Sequence, residues 1–215
     1  MSSNYKEYGY ASSDQGTAHR YLLPALLEML GPPRGIVLDL GCGNGAMALA
    51  LIARGYDVWG VDASESGIKL ANAGAPGRFF VMNFATGCLP AELSGKPFQS
   101  VISTEVIEHL YDPRGFLALA KRILQNTGGE LIVSTPYHGY LKNLALAFSG
   151  RFDQHFTVLW DGGHIKFFSR RTLEAMLSEQ GLIVSAFLGV GRCPYFWKSM
   201  FVKARVERSV DEQNY

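Results

Sequence analysis

The 215-residue chain has 47% hydrophobic and 18% charged residues, enough apolar material for a packed core and too little charge for a disordered polymer. Twenty Lys and Arg against 19 Asp and Glu leave a formal charge of +1, so the overall balance does not point to nucleic acid or an anionic membrane as partner. Cys42, Cys88 and Cys193 are odd in number and widely spaced, which excludes a disulfide framework and a Cys-based metal site and fits free thiols in a reducing compartment.

Residues 1 to 16 have no apolar period and read as an irregular arm carrying Tyr5, Tyr8 and Tyr10. Ala18, Tyr21, Leu22, Ala25, Leu26 and Met29 recur at helical spacing, so a helix is expected from Thr17 to Leu30, stopped by Gly31-Pro32-Pro33. Strand and helix then alternate. Strands are expected at Gly35 to Leu40, Asp57 to Val61, Arg78 to Met82, Ser100 to Ser103 and Glu130 to Ser134. Helices are expected at Ala46 to Arg54, Glu65 to Ala73 and Arg114 to Leu124. Apolar strands in such a rhythm imply a mostly parallel sheet covered by helices on both faces. Tyr137 to Phe168 breaks the rhythm and reads as an insertion, with an apolar helical patch at Leu141 to Phe148 followed by a loop dense in His, Gly and aromatic residues. A helix at Arg170 to Gln180 and strands at Ile183 to Leu188 and Trp197 to Val206 close the chain. One domain over 1 to 215, without an internal repeat, is the expected organisation. With no apolar run near the about 20 residues that a membrane span needs, and no signal-like start, a cytoplasmic protein is expected.

The strongest local signal is IVLDLGCGNG, an apolar strand running into Gly41, Gly43 and Gly45 and then a helix. Glycine permits positive φ there and lets a ligand approach the backbone. Gly41, Gly43 and Ala46 also satisfy a dinucleotide fingerprint, with Asp62 at the end of strand two as the ribose acid, so a nicotinamide oxidoreductase is a rival reading. Two features favour a sulfonium nucleoside. Asp39, just ahead of the loop, would repel a pyrophosphate and attract the α-amino group of a methionine moiety. Glu105, Glu108 and His109 follow strand four, at the carboxyl ends where open α/β sheets bind ligands. Glu105 and Glu108 also admit a plainer reading, as acids at a helix N-terminus.

DLGCGNG at 39 to 45, GVDAS at 60 to 64, EVIEHLYDP at 105 to 113, GGELIVSTP at 128 to 136 and GHIKFFSRRTLEAMLSEQGL at 163 to 182 follow in order. Through them the chain resembles the class I S-adenosylmethionine-dependent methyltransferases, in particular the subgroup similar to the ubiquinone-biosynthesis O-methyltransferases. The resemblance implies a Rossmann-like seven-stranded sheet in order 3-2-1-4-5-7-6 with a final antiparallel hairpin, and S-adenosylmethionine as cofactor. It implies that Gly41, Cys42, Gly43 and Gly45 make room for the methionine and ribose parts and that Asp62 accepts the ribose hydroxyls. It further implies that Ala63 lines the adenine slot, that Asn83 and Phe84 stand where relatives often carry an Asp, and that Glu105 faces the cofactor.

Methyl transfer from a sulfonium needs alignment and dryness more than a base. If the acceptor must lose a proton, His109 and His138 are the candidate bases, each with a purely structural alternative. Tyr137, His155, Trp160 and His164 in the insertion, and Tyr8, His19 and Arg20 ahead of strand one, are the candidate acceptor-binding or lid residues. The aromatic residues of the insertion read equally as a satellite core, and His164 more as a packing residue than a catalytic one. The expected function is methylation, on oxygen by resemblance, of a small aromatic, quinone-like or polyketide-like acceptor, without an obligatory metal. A non-catalytic adenosylmethionine-binding module is a further alternative. No nucleic-acid partner and no integral membrane segment are expected, the patch at Leu141 to Phe148 is expected to pack on its own domain, and the chain is expected as monomer or homodimer.

Overall fold

A computed structural model describes residues 18–156, 159–160 and 162–206. Tyr5, Tyr8 and Tyr10 lie outside them. The seven strands are β1 (Ile36–Leu40), β2 (Asp57–Asp62), β3 (Phe79–Val81), β4 (Phe98–Thr104), β5 (Glu130–Pro136), β6 (Leu182–Val190) and β7 (Ser199–Val206). They form one sheet in order β3-β2-β1-β4-β5-β7-β6, as the resemblance implied. β1 to β5 pair in parallel, and β7 enters antiparallel between β5 and β6. The helices are α1 (His19–Leu30), α2 (Ala46–Ile52), α3 (Glu65–Gly74), α4 (Pro113–Leu124), α5 (Tyr140–Phe148), α6 (Phe152–Phe156) and α7 (Arg170–Glu179). α6 was read as loop in the sequence because five residues are too few to establish a helical period.

Strand alternation divides the core into two layers. Leu38, Leu40, Val101, Leu131, Val133 and Val202 point to one face, with residues of α4 and α7. Val37, Ile102, Ile132 and Phe201 point to the other, with residues of α1, α2 and α3. Both faces are therefore covered, which is why the strands read as continuous apolar runs rather than as alternating ones. The same parity sends Asp39, two residues after Val37, to the α1–α3 face, where it is fully buried.

α4 begins at Pro113, one residue ahead of the expected start at Arg114. Asp112 Oδ1 accepts a hydrogen bond from Gly115 N at 2.9 Å and Pro113 occupies the first helical position. The insertion after β5 is closed at its base, where His138 N donates to Phe168 O at 2.9 Å. That bond holds α5, α6 and the following loop over the carboxyl ends of β4 and β5. The helical patch did not fold as expected: Leu141 is 44%, Leu144 38% and Phe148 85% exposed, so α5 lays little of its apolar surface on the domain. Its Lys142, expected as a basic flank, is instead the buried residue, because its amine donates to Tyr137 O at 2.7 Å.

Candidate functional site

The β1–α2 loop is held by β2. Gly41 N and Cys42 N both donate to Val61 O, at 2.8 and 3.0 Å, and Gly43 N donates to Asp62 Oδ2 at 2.8 Å. Gly45 N bonds Cys42 O and Ala46 N bonds Asn44 Oδ1. These five amides are spoken for, so the loop offers little of the array of free N–H groups that cradles a pyrophosphate. Gly45, at φ 79°, sits so close to α3 that an added Cβ would lie 2.6 Å from Ala71 Cβ. Glycine is required there by packing as much as by any ligand. Cys42 turns its thiol inward against Gly60 and Phe79, and burial pushes that thiol well up; only its backbone is left to face a ligand.

Asp39 is fully buried beneath this loop, and neither carboxylate oxygen has a hydrogen-bond partner among the described residues. Burial, reinforced by the nearby Asp62 charge, pushes its carboxyl up to about 8. A carboxyl in that state awaits a cationic donor. Asp62, at the end of β2, is braced from both sides, since Oδ1 accepts from Ser64 N at 2.8 Å while Oδ2 takes Gly43 N. Ala63 follows it, half-buried. After β3, Asn83 is exposed and spends its side chain capping a 3₁₀ turn at Phe84–Thr86, accepting from Ala85 N at 3.0 Å. Phe84 packs edge-on against Phe116, with centroids 5.4 Å apart, which leaves its backbone more than its ring for a ligand.

Glu105 does not stand as expected. It has φ 55°, a costly conformation for a non-glycine residue, and its carboxylate is turned toward β5 and β7. There Ser134 Oγ donates to Oε1 at 2.8 Å and Ser199 Oγ to Oε2 at 3.1 Å. Burial still raises the carboxyl to about 7. The two hydroxyls rather than an open face to the cofactor define its present role.

A second constellation was not anticipated. Glu108, His109 and His164 bring one ligand atom each to within 4.8 Å of one another. Glu108 is 1% exposed beside the Thr135 hydroxyl, and burial and the neighbouring Glu105 push its carboxyl well up. His109 Nδ1 lies 3.0 and 3.2 Å from the carbonyl oxygens of Gly162 and Gly163, and a carbonyl can only accept. Nδ1 therefore carries the proton and Nε2 presents its lone pair, 4.0 Å from Glu108 Oε1, the arrangement that fixes a metal-ligating imidazole. Ile165 N and Lys166 N both donate to Glu108 O, which brings the loop of His164 onto this turn. The His109 and His164 rings lie 4.9 Å apart, and burial lowers both, His164 to about 4. Glu108 was read either as an acid at the ligand-binding end of strand four or as a helix-terminal acid, and its convergence with His164 was not foreseen; the EH pair followed by GH at 163 to 164 was the signal available in the sequence.

Of the other sequence candidates, Trp160 stands edge-on to His109 and His164 and so joins this rim. His138 is buried, stacked on Phe156, and lowered to about 3 by burial first and Lys142 second; so weak a base is unsuited to take a proton near pH 7. His155 lies 5.4 Å from it. Tyr137 is buried against Trp197 and packs rather than lines a cleft. His19 is buried beside the Ala46 backbone, toward the glycine loop, whereas Arg20 is exposed. Tyr8 lies outside the described residues.

An open α/β sheet in this strand order, with a buried acid under a glycine loop and a braced acid at the next strand end, defines a Rossmann-like nucleoside-binding protein. A family model described as a methyltransferase domain matches residues 15–186, and the chain belongs to that family. It is similar to the ubiquinone biosynthesis O-methyltransferase of Caulobacter sp. (strain K31), 34% identical over 165 residues that cover 74% of this chain and 63% of that protein. The mitochondrial ubiquinone biosynthesis O-methyltransferase of Homo sapiens is 30% identical over 75% of this chain and 45% of its own length. The chain thus spans less than two thirds of these relatives. Among solved structures, the putative methyltransferase complexed with the Trm112 activator of Haloferax volcanii aligns with a TM-score of 0.66 at 18% identity, covering 86% of this chain and 88% of that one. Magnesium protoporphyrin IX methyltransferase from Synechocystis PCC 6803, with bound SAH, aligns at 0.61 and 19% identity over 86% and 80%. At such identities the likeness concerns the fold. Among the described residues no helix is long and apolar enough to cross a membrane.

Proposed function

We propose that this protein transfers the methyl group of S-adenosylmethionine to an oxygen of a small hydroxylated acceptor. The observation that carries the reading is Asp39: a fully buried carboxyl with two unpartnered oxygens under a glycine loop fits the α-amino group of a methionine moiety, whose charge would ionise it. Asp62, at the adjoining strand end, is the carboxylate that would accept a ribose diol, and the backbone of residues 41 to 45 and 83 to 84 lines the space between. The names of the ubiquinone-pathway relatives and the SAH-bound neighbour support the cofactor and the preference for oxygen. When bound, the sulfonium supplies an activated methyl group. The chain's own residues then have to hold the acceptor in line, exclude water and manage the proton of its hydroxyl.

For that proton, His138 is too weak a base, and Glu108, His109 and His164 provide a different device. Two neutral imidazoles and a buried carboxylate suit a divalent cation; Glu108, His109 and His164 would hold it, and it would supply Lewis acidity toward an acceptor hydroxyl. The reading is therefore cation-assisted O-methylation rather than metal-free transfer. Purified protein incubated with labelled adenosylmethionine, Mg²⁺, Mn²⁺ or Zn²⁺ and a panel of phenols and aliphatic alcohols tests it. Label transfer to an acceptor hydroxyl that stops on chelation supports the proposal. Binding of NADH without binding of adenosylmethionine would overturn it, and binding without turnover on any acceptor would favour a sensing module.

A further inference from the structure

A helix of nine residues is too short to persist in water by itself, so α5 exists only through what it leans on. Apolar contact supplies little of that support, since Tyr140, Leu141, Leu144 and Phe148 all face water. The one buried side chain of the helix is Lys142. Its amine donates to Tyr137 O at 2.7 Å, just past the end of β5, and to Lys198 O at 3.4 Å, just ahead of β7. Asn143, half-buried, adds a side-chain hydrogen bond to His138. Polar side chains at two adjacent positions therefore hold α5, where a packed amphipathic helix would use an apolar stripe. Glycines stand at both ends, Gly139 at the N-cap and Gly150, at φ 64°, past the last turn.

We propose that α5 is a lid that orders and melts as a unit, and that the Lys142 amine is its latch. Two carbonyl oxygens from different strand ends accept the amine, so it closes only when β5, β7 and the helix stand together. The same amine is easily released. Carbonyls rather than a carboxylate receive its charge, burial opposes that charge and Arg192 repels it, with Glu105 attracting it in return. The base of the insertion takes no part in the motion, because the bonds of His138 N to Phe168 O and of Ile165 N and Lys166 N to Glu108 O involve no residue of α5. The Lys198 carbonyl directly precedes Ser199, whose hydroxyl holds Glu105, so the latch closes onto the rim of the candidate site. What the lid serves rests on the methyl-transfer reading, which needs a site open to the acceptor beforehand and dry during transfer. The lid itself rests on these contacts alone.

Hydrogen–deuterium exchange of the full chain, read by mass spectrometry, tests the lid. Lys142→Met keeps an unbranched apolar stem but removes the donor, and should speed exchange of the amides of residues 143 to 149 at least about tenfold, the loss expected for a hydrogen bond from a charged group. The amides of α1 and α4 should exchange as in the wild type. Lys142→Arg restores a charged donor and should bring back most of the protection. Ala147→Gly, at an exposed position where folding of the domain is not at stake, should speed exchange about fivefold over the same amides and nowhere else, the effect of one residue's lost helix propensity. Exchange of α5 within about threefold of wild type in Lys142→Met would overturn the latch. Acceleration spread equally over α1 and α4 would overturn the lid, because α5 would then open only with the whole fold. Adenosylmethionine binding, measured by calorimetry on the same samples, reports on the other reading: its absence with the exchange pattern intact would remove methyl transfer and leave the lid standing.

Discussion

Asp39 is protonated over most of the physiological range because burial holds its carboxyl at about 8, and a cationic ligand must ionise it. Binding of adenosylmethionine at pH 7 is therefore expected to release a proton, a release that fades as pH rises past about 8 and the carboxyl is already charged. Calorimetry in buffers of different ionisation enthalpy measures it directly. Asp39→Asn should weaken adenosylmethionine by roughly 10- to 100-fold, the range of a charge-assisted hydrogen bond, while leaving the free protein no less stable. A variant that binds as tightly as wild type would show that Asp39 has no part in the site. Glu108 makes a separate prediction. Glu108→Gln should lower turnover at least about tenfold, since even an outer partner of a metal ligand is worth 10–100-fold, with little change in adenosylmethionine affinity. It should also abolish tight binding of Mn²⁺ followed by electron paramagnetic resonance, and retained binding would dismiss the cation site.

At the scale of elements, the turn between β1 and α2 is fixed by contacts to its neighbours as much as by its own sequence. Gly45→Ala would put a side chain at φ 79° and 2.6 Å from Ala71 Cβ, so α2 and α3 must separate. A loss of more than about 1 kcal/mol is expected, seen as a lowered Tm, together with weaker cofactor binding. Asp112→Ala removes a cap from α4 without touching the glycine loop's own hydrogen bonds and should cost about 1 kcal/mol, or about 2–4 °C in Tm, with adenosylmethionine affinity intact. Comparing the two variants by thermal melting separates loss of the loop's geometry from simple loss of helix stability. α5 behaves differently from both. Its apolar face is left in water, so α5 itself is tied to the sheet through the Lys142 amine, while the rest of the insertion is held by the His138–Phe168 backbone bond, the Ile165 and Lys166 bonds to Glu108 O and the stack of Phe156 on His138.

For the whole molecule, Asp39, Glu105 and Glu108 are all raised in the folded state, to about 8, about 7 and well above the ordinary value. Each keeps its proton folded at a pH where the unfolded chain has lost it. The folded state then binds more protons, and stability falls as pH rises. Below about pH 6.5 the lowered histidines, His138 at about 3 and His164 at about 4, act in the opposite sense, so the loss is expected alone only above that value: the ligand-free protein should lose stability from about pH 6.5 to about pH 8, where the Asp39 and Glu105 contributions are spent. Thermal melts across that range test the sign, and a stability that instead rises from pH 6.5 to pH 8 would contradict these environments. Saturating adenosylmethionine should offset the loss, by about 2.7 kcal/mol at a hundred times its dissociation constant.

The sequence by itself determined the alternation of strands and helices, the loop at Gly41 to Gly45, and the family through motifs spread from residue 39 to 182. It could do so because local periods and glycine turns are written in neighbouring residues. Only the tertiary structure decided which acids are orphaned and which are satisfied, since Glu105 meets Ser134 and Ser199 from strands 29 and 94 positions away. It also decided that His138 is stripped of its basicity and that Glu108, His109 and His164 converge, because desolvation and ligand geometry depend on what packs around a group and not on its spacing along the chain.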